Sequence, residues 1–140
     1  MRKWGWIFSL AMFAALPALA DNAIPDLRGT WKGEAEASVT GAPNPRFGGT
    51  ADSPTRFAGI PLTLVIDKQQ GRAFSGTVSS PLQTGEPLNG VISRTGAVYY
   101  VDTDGYVIGN ILAPNKLEVC YLQTSPTGRI ASCTELTKQP

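Results

Sequence analysis

Past its first twenty residues the chain reads as eight short strand-like runs separated by turn residues, with no stretch of helical periodicity long enough to interrupt them. The runs are Trp31 to Val39, Leu62 to Asp67, Ala73 to Val78, Leu88 to Ser93, Ala97 to Val101, Tyr106 to Leu112, Lys116 to Gln123 and Arg129 to Thr137. Turn residues of the expected types divide them at Gln70-Gly71, Thr84-Gly85, Thr95-Gly96, Asp104-Gly105 and Pro114-Asn115. Such short links favour consecutive antiparallel pairing, so the fold expected is all-β: an eight-stranded up-and-down meander barrel. A barrel of this size is just wide enough to be filled by side chains or to hold one small ligand.

Residues 1–20 have the layout of a secretory signal peptide. Arg2 and Lys3 give a charged start, Trp4 to Leu16 an apolar stretch, and Ala18-Leu19-Ala20 a small-residue exit with cleavage expected after Ala20. The apolar stretch is shorter than the roughly 20 residues of a membrane span, and no later segment approaches that length. The expectation is a soluble periplasmic or secreted protein with residues 21–140 as one barrel domain and no membrane anchor. Of 12 basic and 11 acidic groups, 10 and 11 remain after cleavage, a net charge near −1 that makes no case for nucleic acid.

Both cysteines fall in the exported part, so a Cys120–Cys133 disulfide is expected. Their midpoint lies within Ser125-Pro126-Thr127-Gly128; a turn there places Cys120 opposite Cys133 and Leu122 opposite Ala131.

Alternation at Leu62, Leu64 and Ile66 and at Phe74, Gly76 and Val78 places one set of residues on one face, expected to point inward. Gly76, Gly90 and Gly109 share inward parity, where they either enlarge a cavity or relieve crowding in bent strands. Run six is apolar on both faces, which suggests cover by a lid or another subunit. Glu34 and Glu36 share parity with Lys32, so a solvated outer face is the economical reading for all three.

One connection is much longer than a hairpin loop. Gly41 to Gly59 is rich in proline and glycine and contains the near-duplicates Pro45-Arg46-Phe47 and Pro54-Thr55-Arg56-Phe57. In a meander it lies at the barrel end shared with links three–four, five–six and seven–eight. It reads as a lid adding Phe47 and Phe57 to a pocket, as an arm presenting them with Arg46 and Arg56 to a partner, or as a loop stapled down by its aromatics.

The segment Leu27-Arg28-Gly29-Thr30-Trp31-Lys32-Gly33 resembles the Gly-x-Trp opening of the calycin superfamily, the lipocalins and avidins. The resemblance implies that Trp31 plugs the closed barrel end, packed by a basic residue of the last strand, here Lys138. Arg72-Ala73-Phe74-Ser75-Gly76-Thr77-Val78 is similar to the third strand of avidins, and Leu88-Asn89-Gly90-Val91 to their fourth. Trp31 is the one tryptophan after residue 20, so the several tryptophans with which avidins grip biotin are missing. Asp21 to Asp26 occupies the place of the inserting segment of small periplasmic calycin-like metalloprotease inhibitors.

The chain has no histidine, which excludes chemistry that depends on imidazole, and no lysine–serine motif is visible. Asp102-Thr103-Asp104-Gly105 lacks the remaining ligands of a calcium loop and reads as a hairpin turn. No metal and no cofactor is implied. The leading expectation is a binding protein, not an enzyme, that holds a small apolar ligand beneath the long loop, lined by Phe47, Phe57, Leu64, Phe74, Val78, Tyr100 and Ile111. The alternative is a protein-interaction module acting through residues 21–26 or the long loop. An isomerase or cyclase would need a buried cluster drawn from Glu34, Glu36, Tyr99 or Tyr100.

Overall fold

The structure, a computed structural model, describes residues 23–140. The expected signal segment and its cleavage point lie outside those residues. Eight strands, Gly29–Gly41 (β1), Arg56–Gln70 (β2), Ala73–Ser79 (β3), Glu86–Ile92 (β4), Ala97–Val101 (β5), Tyr106–Ala113 (β6), Lys116–Ser125 (β7) and Gly128–Lys138 (β8), form one closed barrel. Each pairs antiparallel with its neighbours in sequence, and β8 returns to pair with β1, so the meander read from the turn spacing is the fold. No helix among the described residues is long and apolar enough to cross a membrane.

Alternation sets the two faces of the wall. Along β7, Leu117, Val119, Tyr121 and Gln123 are buried in the lumen; along β8, Ile130, Ser132, Thr134 and Leu136 are. Glu34 and Glu36 point outward with Lys32, and the register pairs Glu36 with Cys133. The disulfide Cys120–Cys133 forms between facing residues with Cα atoms 4.0 Å apart, and Leu122 lies opposite Ala131. Both follow from the turn between Ser125 and Gly128.

The closed end is built on Trp31, which is fully buried. Its indole N–H donates to the Leu27 carbonyl at 2.8 Å, and the Lys138 ammonium lies 5.4 Å from the ring centre. A cation at that distance adds on the order of 0.5 to 1 kcal/mol at an exposed site. The Leu27 N–H donates to the Gln69 amide oxygen at 2.8 Å, and the Gln69 amide donates to the Pro25 carbonyl at 2.7 Å. Pro25 to Leu27 are thereby tied across this end rather than projecting from it, and residues 21 and 22 lie outside the described residues.

β2 departs from expectation by beginning at Arg56 instead of Leu62. The reason is tertiary: the far half of β1, through Val39, has β8 on one side and gains a neighbour on its other side only by pairing with Arg56 to Pro61. β3 ends at Ser79 opposite Thr63, so this forward part of β2 has a strand on one side only. Proline is tolerated at position 61 on such a one-sided strand, and Gly59 and Pro61 hid the strand from its local pattern. The long connection shortens to residues 42–55.

Candidate functional site

At the barrel end opposite Trp31 the first half of the long connection turns into the lumen. Asn44 caps a single 3₁₀ turn, Pro45–Phe47: its side-chain oxygen accepts from the Arg46 N–H at 2.9 Å, and Pro45 sets the first helical φ. Gly48 and Gly49 leave the turn with φ of 64° and 96°, a conformation open to glycine at little cost. This tight reversal directs Arg46 and Phe47 inward, where they are 2% and 4% exposed.

The Arg46 guanidinium donates to the carboxylates of Glu86, the first residue of β4, and Asp102, just past β5, the latter at 2.6 Å. It also lies 4.9 Å from the centre of the Tyr121 ring. Phe47 stacks on the same ring with centroids 6.0 Å apart and planes 20° from parallel. Asn44 donates to the Tyr121 hydroxyl at 3.0 Å, that hydroxyl donates to Gln123 at 2.6 Å, and the Gln123 amide donates to the Pro43 carbonyl. The other Asp102 oxygen accepts the N–H groups of Asp104 and Gly105. Hence Asp102-Thr103-Asp104-Gly105 is a hairpin turn whose first carboxylate also holds Arg46.

Burial governs the titration of this cluster. It raises Glu86 above its ordinary carboxyl value, with the Arg46 charge opposing and the Asp102 and Asp104 charges adding. Burial likewise pushes the Tyr100 and Tyr121 hydroxyls far up, which keeps both neutral at any physiological pH. Neutral tyrosines and carboxylates engaged by a guanidinium make a plug, in which one Glu86 carboxylate oxygen and the Arg46 Nε stay buried without a hydrogen-bond partner.

The lumen beneath the plug is occupied by a cluster of apolar side chains packed against one another. Leu64, Phe74, Val78 and Tyr100 all point inward as expected, with Leu64 facing Val78 across β2 and β3, and Ile111 packs partly buried against the core. Phe74 lies over Gly90, where a Cβ would come within 2.2 Å of the ring, and a Cβ on Gly76 would strike the Val65 carbonyl. These glycines admit close neighbours. The space among Arg46, Phe47, Tyr100 and Tyr121 amounts to about 20 Å³, room for about one water.

Phe57 does not join the lining. It is 84% exposed on the outer face of the one-sided part of β2, because Phe57 shares parity with the outward residues Gly59 and Pro61. There it rims an open cleft of about 800 Å³ over β1, β2, β7 and β8, whose walls include Glu34, Glu36, Ser38, Leu122 and Ala131. Register places Phe57 beside Ser38, Ser38 beside Ala131, and Ala131 beside Leu122, one row across four strands. Neither Glu34 nor Glu36 forms an ion pair among the described residues.

The buried residues Asn44, Arg46, Glu86, Asp102 and Gln123 were absent from the expected lining. Parity carried a signal for three of them: Glu86 is in phase with inward Leu88, Asp102 with inward Tyr100, and Gln123 with inward Tyr121. Their polarity masked it. Asn44-Pro45 is itself a helix-start signal that would have located the turn.

Comparison of the chain with protein-family models, with curated proteins and with solved structures finds no match. The resemblance to calycins therefore has no family-level support.

Proposed function

We propose that this protein is an exported interaction module that binds a protein partner on its outer wall, at the cleft rimmed by Phe57. The observation that carries the reading is Phe57 itself: a large aromatic 84% exposed beside a concave surface, at the exit of the long connection. Single exposed apolar side chains are common, but one at the rim of a cleft with an apolar floor of Leu122 and Ala131 has the makeup of an interface anchor. Glu34 and Glu36, without cationic partners of their own among the described residues, suit a partner segment that carries basic residues beside an apolar one. Export is supported by the layout of residues 1–20 and fits the Cys120–Cys133 bridge.

A lumenal carrier of a small apolar ligand is disfavoured by the same geometry. Arg46 and Phe47 occupy the mouth in which that ligand was expected, and a space of about 20 Å³ holds no organic molecule. A catalytic role finds no support in a cluster whose charged groups already engage one another.

The test replaces Phe57 with a photo-cross-linking phenylalanine analogue in cells that naturally make the protein, with the same analogue at Thr63 as control. A discrete protein adduct from position 57 is expected, weakened by Glu34→Lys together with Glu36→Lys. Equal labelling from both positions, or none from position 57, would overturn the reading.

A further inference from the structure

Half of the barrel wall is without charge. Across β3, β4, β5 and β6 the one residue with a charged side chain is Glu86, and it points into the lumen. The outer face of β4, β5 and β6 instead exposes Val91, Tyr99, Val101, Tyr106, Ile108 and Leu112, each between 44% and 54%. The first five are neighbours by register: Val91 faces Tyr99, Tyr99 faces Ile108, and Val101 faces Tyr106. The other half of the wall carries Lys32, Glu34, Glu36, Glu118, Arg129 and Glu135 outward.

We propose that the outer wall of β3 to β6 joins two copies of this chain about a two-fold axis. In such a contact each copy meets its own surface, so any net charge on the face would meet its like. The charged half of the barrel would have to set its mixed charges against one another in register, whereas the uncharged half pairs without that requirement. Closure of the barrel leaves β3 to β6 paired on both sides, so the copies meet face to face with interdigitating side chains and not by adding a strand.

The area is sufficient. The six side chains expose on the order of 500 Å² per copy, so burying them completely on both copies removes about 1,000 Å² in all, the lower bound of a specific interface. Tyrosine enrichment and charge depletion match the core of such interfaces. Because the Phe57 cleft lies over β1, β2, β7 and β8, pairing leaves it open on both copies, which gives the dimer two partner sites.

Sedimentation velocity of the disulfide-intact protein from residue 21, over about 2 to 200 μM, should show a concentration-dependent monomer–dimer equilibrium. Ile108→Glu and Tyr99→Glu each put like charges into the contact from both copies and should weaken it at least about tenfold, whereas Lys32→Gln, on the charged half of the wall, should leave it unchanged. Ile108→Thr keeps the β-branch and the fold; it should weaken the dimer several-fold and carries the test if the glutamate variants unfold. Monomer throughout, or a dimer indifferent to the Ile108 variants, overturns the proposal. Neither outcome bears on photo-cross-linking from position 57.

Discussion

Pro45-Arg46-Phe47 and Pro54-Thr55-Arg56-Phe57 belong to one connection and share three residue types, yet they end in opposite environments. In the first, Asn44 and Pro45 start a 3₁₀ turn that sends the arginine to two buried carboxylates and the phenylalanine onto Tyr121. In the second, the chain is already in β2, so alternation sends Phe57 outward. Arg56 holds the loop from outside by donating to the carbonyls of Gly41, Phe47 and Gly48. Similar residues thus become a plug or a handle according to the backbone that carries them.

The sharpest break of this contrast is Arg46→Ala, which leaves Glu86 and Asp102 buried without their cation and should cost about 3 to 5 kcal/mol in urea unfolding. Phe47→Ala removes the ring stacked on Tyr121 and should cost about 3 kcal/mol by the same measurement, with Phe57→Ala as its counterpart at less than about 0.5 kcal/mol. Equal losses at 47 and 57 would show that the two copies are not divided as described. Arg56→Ala should fall between, at about 1 to 2 kcal/mol, through the loss of partly buried bonds to three carbonyls.

The pH dependence of the plug is smaller and has a defined sign. The folded state holds the Glu86 proton above the ordinary value of 4.5, so in that window it binds more protons than the unfolded chain. The stability contributed is complete below the ordinary value and is lost as pH rises through the raised one. Asp26, whose carboxyl the bonds from Arg28 hold well below the usual range, acts in the opposite sense: its contribution is present above the ordinary value and lost as pH falls. That pair is exposed and screened by salt. In moderate salt the urea midpoint should therefore decline as pH rises above the ordinary Glu86 value of 4.5, and Glu86→Gln should flatten the decline. A decline that Glu86→Gln leaves intact would assign it to another group.

Much of the barrel was legible because its signals are local. Leu64, Phe74, Val78 and Tyr100 point inward since a period of two admits no other arrangement once one neighbour is buried. The turn centred between Cys120 and Cys133 brought the cysteines face to face. The plug was not legible in this way, because Glu86 and Asp102 are far from Arg46 in sequence and a polar residue at an inward position reads as a strand end until its partner is known.

By itself, then, the sequence determined the number of strands, their order, their faces and the final register, since alternation and turn chemistry act over a few residues. Tertiary structure alone decided the content of the lumen. Whether eight strands enclose a ligand or a packed core depends on whether a distant loop supplies a group that fills the mouth, and here Arg46 pairs with two carboxylates, one on β4 and one just past β5, that no local pattern connects to it. With that space closed, the surface available for recognition is the outside of the barrel.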